Sequence, residues 1–225
     1  MPPYTALIPT FNGADFIAEA IASIRAQSRP PVEIIVVDDG STDATVDVVR
    51  KLGADIILVC QENRGVGSAT SAGFARASAP VVATLDCDDL WAADKMEIQL
   101  SRLAAEPSLA GVFSHCRTFR HGTPLAVQSP GEPSAGWLRS TMVMMRDVFD
   151  AVGPMVDPPG GCGDLIDWLA RVREVGHRLA MLEEPLALRR IRPGSLSHQQ
   201  TPERDGGYLH AARLAILRRR QQQGG

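Results

Sequence analysis

The sequence predicts an α/β protein with an open, mostly parallel sheet flanked by helices and a less regular C-terminal half. Three observations predict it. Short apolar runs alternate with amphipathic segments from Tyr4 to Leu85, each apolar run ends in polar or glycine residues, and the alternation weakens beyond about Pro107.

Tyr4 to Ile8 is a short apolar run closed by Pro9, and Glu33 to Val37 is a β-branched run closed by Asp38-Asp39-Gly40; both read as buried parallel strands. Between them, Ala14 to Gln27 carries Phe16, Ile17, Ala20, Ile21 and Ile24 at the spacing of one helical face, and Ser28 to Pro31 ends it. The unit then repeats. Ala44 to Leu52 is helical, Asp55 to Val59 a strand, Ser68 to Ala77 helical behind a glycine pair, and Pro80 to Leu85 a strand. A helix is expected to begin near Leu90 and Ala93, capped by Asp89. Farther on, Gly111 to Phe119 reads as a strand, and Ser129 to Gly136 and Val156 to Gly163 as proline- and glycine-rich loops. Leu165 to Val175 reads as a helix, Arg178 to Leu182 as a strand, and the surroundings of Tyr208 to Arg220 as a final helix.

The 225 residues, 44% hydrophobic and 22% charged, suit a folded globular chain with a proper core. A net charge of -3 offers no broad positive field, which argues against nucleic acid as a partner. The basic cluster from Arg213 to Arg220 is either a solvated helix end or a contact with anionic lipid, a peripheral membrane attachment. Cys60, Cys87, Cys116 and Cys162 form no C-x-x-C pair, so no zinc knuckle or redox motif is indicated. The Met1-Pro2-Pro3-Tyr4 start lacks the features of a signal peptide, and no window reaches the ~20 apolar residues of a membrane span, so a cytoplasmic location is expected.

In open parallel sheets, ligands sit outside the carboxyl ends of the strands. Leu85-Asp86-Cys87-Asp88-Asp89 places three acids within four residues at one such end. In extended geometry Asp86 and Asp88 point to the same side. Like charges at ~4 Å cost several kcal/mol at intermediate dielectric, so a cation belongs between them. A hard ion, Mn2+ or Mg2+, binds through one or two carboxylates and completes its shell with substrate phosphates and water. At a neighbouring strand end lies Asp38-Asp39-Gly40-Ser41-Thr42-Asp43. Thr42 or Asp43 suits a helix cap, whereas Asp39 stands where a base N–H or a ribose hydroxyl needs an acceptor. Pro9-Thr10-Phe11-Asn12-Gly13 leaves backbone groups free to meet a planar base. Asn63-Arg64-Gly65-Val66-Gly67 sets paired glycines before a helix, able to approach a phosphate, without the spacing of a dinucleotide fingerprint.

Taken in order and spacing, Ile8 to Asn12, Val36 to Asp43, Asn63 to Gly67 and Leu85 to Asp89 resemble the family-2 glycosyltransferases with the GT-A, Rossmann-like fold. The resemblance covers Tyr4 to Trp91 and, more loosely, Trp137 to Ser197. It implies an inverting, metal-dependent transfer from a nucleoside-diphosphate sugar, a UDP-sugar first of all, to a hydroxyl of a glycan, lipid-linked or small-molecule acceptor. Pro9, Thr10, Phe11, Asn12, Asp39 and Gly65 would then bind the donor, with Thr10 and Asp39 at its base. Asp86 would lie near the ribose and, with Asp88, hold Mn2+ or Mg2+. Arg190 and Arg192 are candidates to stabilise the departing diphosphate. The acid that deprotonates the acceptor matches Gly163-Asp164-Leu165-Ile166-Asp167-Trp168, where Asp164 and Asp167 are three apart and so share a helical face. Both stay candidates, with Asp164 preferred because it lies nearest the Pro158 to Gly163 loop. One domain over 1–225 is implied: a nucleotide-sugar-binding half at 1–106, an acceptor-side half at 107–200, and a C-terminal helix and tail at 201–225.

The chain departs from the family's pattern in three places. Thr70-Ser71 stands where an Arg-Asn pair is common, and Arg192 stands where a histidine commonly precedes the Pro-Gly-Ser-Leu-Ser segment, bringing a fixed positive charge. His198 nearby reads as a surface residue. The third departure, the absence of a Glu-Asp pair at the base position, keeps a sugar-nucleotide-binding protein without turnover as one alternative. The other is a sugar-1-phosphate nucleotidyltransferase, which wants a basic, glycine-rich loop after the first strand; Pro9 to Gly13 has no basic residue.

Overall fold

The computed structural model describes residues 1–122, 131–158, 161–192 and 202–223. The order of elements is β1 (Tyr4–Thr10), α1 (Ile17–Arg25), β2 (Glu33–Asp38), α2 (Thr45–Leu52), β3 (Ile56–Cys60), α3 (Val66–Arg76), β4 (Val81–Thr84), β5 (Leu90–Trp91) and α4 (Lys95–Ala105). Then come β6 (Leu109–Arg120), β7 (Ser134–Ala135), a 3-10 turn (Arg139–Thr141), β8 (Val143–Met145), α5 (Arg146–Val152), α6 (Asp164–Glu174), β9 (Arg178–Ile191) and α7 (Pro202–Gln223).

Among the described residues the strands form one sheet in the order β3-β2-β1-β4-β8-β6-β9-β5, with β7 beside β6. The run β3-β2-β1-β4 is parallel, because helices carry the chain back between successive strands. β8 enters antiparallel to both β4 and β6, and β6 then pairs in parallel with β9. Alternate residues of β1 face opposite layers. Ala6 and Ile8 pack with Ile17, Ile21 and Ile24 of α1 and Leu100 of α4. Leu7 packs with Phe74 of α3 and Trp168 of α6. Burial on both faces is why these strands are apolar throughout. A Cβ at Gly73 would overlap the Leu7 side chain, so the glycine sets how closely α3 approaches β1.

Two expected elements differ from the sequence reading, and β7, the 3-10 turn, β8 and α5 are absent from it. Leu90–Trp91 is a short strand paired with Leu188 and Ala187, so the next helix starts only at Lys95 and Asp89 caps nothing. β9 runs to Ile191 instead of ending at Leu182; Glu183-Glu184-Pro185 interrupts its apolar pattern, but β6 pairs with it across register shifts on either side. Residues 129–130 and 159–160 of the two expected loops, the 193–197 segment and His198 lie outside the described residues. No described helix is long and apolar enough to cross a membrane.

The core also encloses Lys95, 0% exposed, whose Nζ donates to Gln99 Oε1 at 2.5 Å and lies 4.6 Å from the centre of the Trp91 ring. Burial pulls this amine well below the ordinary lysine value. Above the folded pKa the unfolded chain therefore binds the extra proton, and stability rises with pH until the unfolded lysine also titrates near ~10.4. Relative to Lys95→Met, the parent should gain stability from neutral pH towards that value, by at most ~1.4 kcal/mol per pH unit. Denaturant unfolding at several pH values checks this, and parallel curves for the two proteins would refute it.

Candidate active site

The carboxyl ends of β1, β2 and β4 meet along one rim. At the end of β2 the buried Asp39 carboxylate accepts bonds from Gln61 Nε2 (2.7 Å) and from the N–H groups of Arg64 (2.9 Å) and Gly65 (2.8 Å). It therefore shapes the turn into α3. Asn12, at φ 52, accepts from the N–H groups of Thr42 (2.8 Å) and Asp43 (3.3 Å), and its own N–H donates to Ser41 Oγ (2.8 Å). These bonds tie the end of β1 to the loop after β2. Asp43 Oδ1 accepts from Thr45 N–H at 2.9 Å, but the N-cap of α2 is Ala44, so neither Thr42 nor Asp43 holds the cap position. Pro9 and Thr10 are buried within β1, and Phe11 just beyond them is 47% exposed. Thr10 Oγ1 and Asp38 Oδ1 are buried and without a hydrogen-bond partner among the described residues. Buried polar atoms of this kind are costly unless something satisfies them.

The glycine pair at the start of α3, Gly65 and Gly67, meets a protein anion. Asp157 accepts from the N–H groups of Gly67 (2.9 Å) and Ser68 (2.8 Å), and a Cβ at Gly65 would collide with its carboxylate. Burial, joined by the negative charge of Asp164, pushes the Asp157 carboxyl up in spite of those bonds.

The acids after β4 form the centre of the rim. Asp88 Oδ2 accepts from Arg192 Nε at 2.9 Å. Asp89 is buried, taking Ser140 Oγ–H at 2.6 Å and Arg190 N–H at 2.8 Å, which joins the acidic loop to the 3-10 turn and to β9. The Arg190 guanidinium turns inward, donating to the Asp88 carbonyl (2.7 Å) and pairing with Glu19 (2.6 Å) over the rings of Phe16 and Phe119. It supports the loop from behind. Burial pushes the Cys87 thiol up to about 12, so it stays protonated.

Asp164 and Asp167 part company. Asp164 pairs with Arg139 of the 3-10 turn, and its charge is felt at Asp86. Asp167 pairs with Arg171 (3.1 Å) and lies 2.8 Å from Nη1 of Arg218, on the side where α6 meets α7. Burial raises the Asp86 carboxyl; Arg139 opposes this, and Asp88 and Asp164 reinforce it. Asp86, Asp88 and Asp164 thus share one electrostatic site with Arg139 and Arg192. Sequence reasoning missed Arg139, Asp157 and Ser140, which sit in no periodic or acidic motif.

Among the described residues no group of three or more His, Cys, Asp or Glu side chains could hold a metal alone. Asp86 and Asp88 nonetheless suit a hard cation that arrives with a phosphate ligand. Both are oxygen donors, and the Asp86 carboxyl, raised by burial and further by Asp88 and Asp164, gains from positive charge.

The mixed sheet with helices on both faces, its parallel strands ending in an acidic rim, has the GT-A fold. Solved structures agree. TarS of S. aureus in complex with UDP-GlcNAc is similar over 96% of this chain and 66% of that one, with a TM-score of 0.73 and 19% identity. The mannosyltransferase PcManGT of Pyrobaculum calidifontis, in complex with GDP-Man and Mn2+, is similar over 95% of this chain and 70% of that one, with a TM-score of 0.66 and 20% identity. An uncharacterized glycosyltransferase of Nostoc sp. is 38% identical over 113 residues, 48% of this chain and 35% of the relative, so the match spans about a third of that relative's length. The chain belongs to glycosyl transferase family 2, which it matches over residues 5–150.

Proposed function

We propose that this protein transfers a sugar from a nucleoside-diphosphate sugar to an acceptor hydroxyl with inversion. The observation that carries this reading is the joint site of Asp86, Asp88 and Asp164, brought together from β4 and α6 around Arg139. The donor lies over the rim, in the 1–106 half, with its base beside Pro9, Thr10, Phe11, Asn12 and Asp39. The unpartnered Thr10 Oγ1 and Asp38 Oδ1 support a polar ligand there. Asp39 also acts through the Gly65 turn that it holds.

Asp164 takes the acceptor's proton. The acceptor oxygen attacks the anomeric carbon opposite the diphosphate, and the breaking C–O bond leaves its electron pair on the departing phosphate oxygen. Back-side attack inverts the centre. Arg192 adds positive charge for the leaving group, and Arg190 keeps the Asp88 loop in place. Asp88 with Asp86 would hold Mn2+ or Mg2+, which when bound neutralises the diphosphate as a Lewis acid. UDP-sugars come first among donors because TarS binds UDP and UDP-GlcNAc, while PcManGT extends the choice to GDP-Man.

A glycan, lipid-linked or small-molecule acceptor approaches from the 107–200 half. In the 201–225 segment, α7 exposes Arg213, Arg219 and Arg220, a basic cluster that suits an anionic membrane surface. Vesicles containing phosphatidylserine should therefore pull down the parent more strongly than neutral ones, and Arg213→Glu with Arg220→Glu should lose about 1 kcal/mol per charge or more. Equal binding to both vesicle types would exclude the contact.

The central test is a thermal-shift screen of UDP, GDP and dTDP and their sugars, with and without Mn2+. A ligand that binds only the folded chain must raise its apparent stability, by ~2.7 kcal/mol at a hundred times its Kd. No shift with any of them rejects the reading. Release of nucleoside diphosphate instead of pyrophosphate then identifies glycosyl transfer.

A further inference from the structure

We propose that Arg139 is an exchangeable partner, neutralising Asp164 while the site is empty and moving to the donor's diphosphate when that arrives. This rests on the glycosyl-transfer reading of the site and adds an order of events to it. The backbone that carries Arg139 is held firmly. Its carbonyl accepts Thr84 Oγ1–H at 2.6 Å, and the next two residues are fixed by bonds from Ser140 Oγ to Asp89 Oδ2 (2.6 Å), Trp91 Nε1 to Ser140 O (3.0 Å) and Gln99 Nε2 to Thr141 O (2.9 Å). The guanidinium, by contrast, donates to Asp164 and, at 3.2 Å, to Thr70 Oγ1. A fixed root with a long side chain confines any rearrangement to the side-chain torsions.

The electrostatics favour an exchange. Burial works against the charge of Arg139, but Asp164, Asp86 and Asp157 around it keep it protonated. A diphosphate set beside Asp86 offers the same guanidinium two anionic oxygens at once, which the arginine fork takes bidentately, against the single Asp164 oxygen it meets in the empty site. Once Arg139 has moved, the Asp164 carboxylate is no longer engaged and can receive the acceptor's proton. In the empty site the base is engaged. The donor therefore binds first and releases Asp164 for the acceptor.

Calorimetry with UDP and Mn2+ separates this exchange from a structural ion pair. If Asp164 competes for Arg139, Asp164→Asn should bind UDP more tightly than the parent, by about threefold or more, because the donor no longer has to break the pair. Arg139→Gln should weaken binding by about tenfold, and in the double variant the tightening should vanish. Should Arg139→Gln fail to fold, Arg139→Lys keeps the charge without the fork and should fall between the parent and that loss. Unchanged or weaker UDP binding by a folded Asp164→Asn overturns the exchange while leaving glycosyl transfer intact. A parent that binds no nucleoside diphosphate overturns the donor reading, and the exchange with it.

Discussion

Asp88→Ala is expected to bind UDP equally well with and without Mn2+, whereas the parent should bind it at least about tenfold more tightly with the ion, a difference of ~1.4 kcal/mol. Asp88 sits at the crowded carboxyl end of β4, with Arg192 on one of its oxygens. Burial raises the Asp86 carboxyl beside it, with Arg139 opposing the rise and Asp88 and Asp164 adding to it. On the proposed reading, removing Asp88 would take away one of the ion's two oxygen ligands and leave Arg192 to attract phosphate on its own, so ion-independent affinity should survive. Calorimetry across a Mn2+ series measures the linkage. Full ion dependence in Asp88→Ala would move the metal to other residues.

Asp164→Asn should lower kcat by a factor on the order of a thousand without raising KM for the donor, the signature of a group needed in the transition state alone. The amide matches the acid in size but does not accept a proton. A second variant keeps the result interpretable. Asp167 faces Arg171 and Arg218, so Asp167→Asn should loosen the contact of α7 with α6 and lower Tm while transfer by the folded fraction stays near the parent's rate. If Asp167→Asn loses turnover and Asp164→Asn keeps it, the roles are reversed. Single-turnover assays on the two variants, with melting curves, decide between them.

Much of the sheet was legible because strand and helix periods are local. Ile17, Ile21 and Ile24 announce the buried face of α1, and the apolar runs of β1, β2 and β4 stand out because helices cover both faces of those strands. β9 was half-legible: its second part follows Glu183-Glu184-Pro185, and only pairing with β6 makes it a strand. Leu90–Trp91 misled for the same reason, since a two-residue strand has no period to read. Asp39 and Asn12 stood out as polar residues at strand ends, yet the structure shows them bonded to neighbouring loops, Asn12 to the loop after β2 and Asp39 to the turn into α3.

What the sequence determined by itself is the α/β alternation and the gathering of acids after β4, because each follows from residues adjacent in the chain and from repulsion between neighbouring carboxylates. Only the tertiary structure decided which cation each acid meets: Arg139 for Asp164, 25 residues away, and Arg192 for Asp88, 104 away. It also turned Arg190 inward and sent Asp167 towards α7. Ion pairs depend on distances of a few ångströms, and those distances are set by which elements the sheet and helices bring side by side.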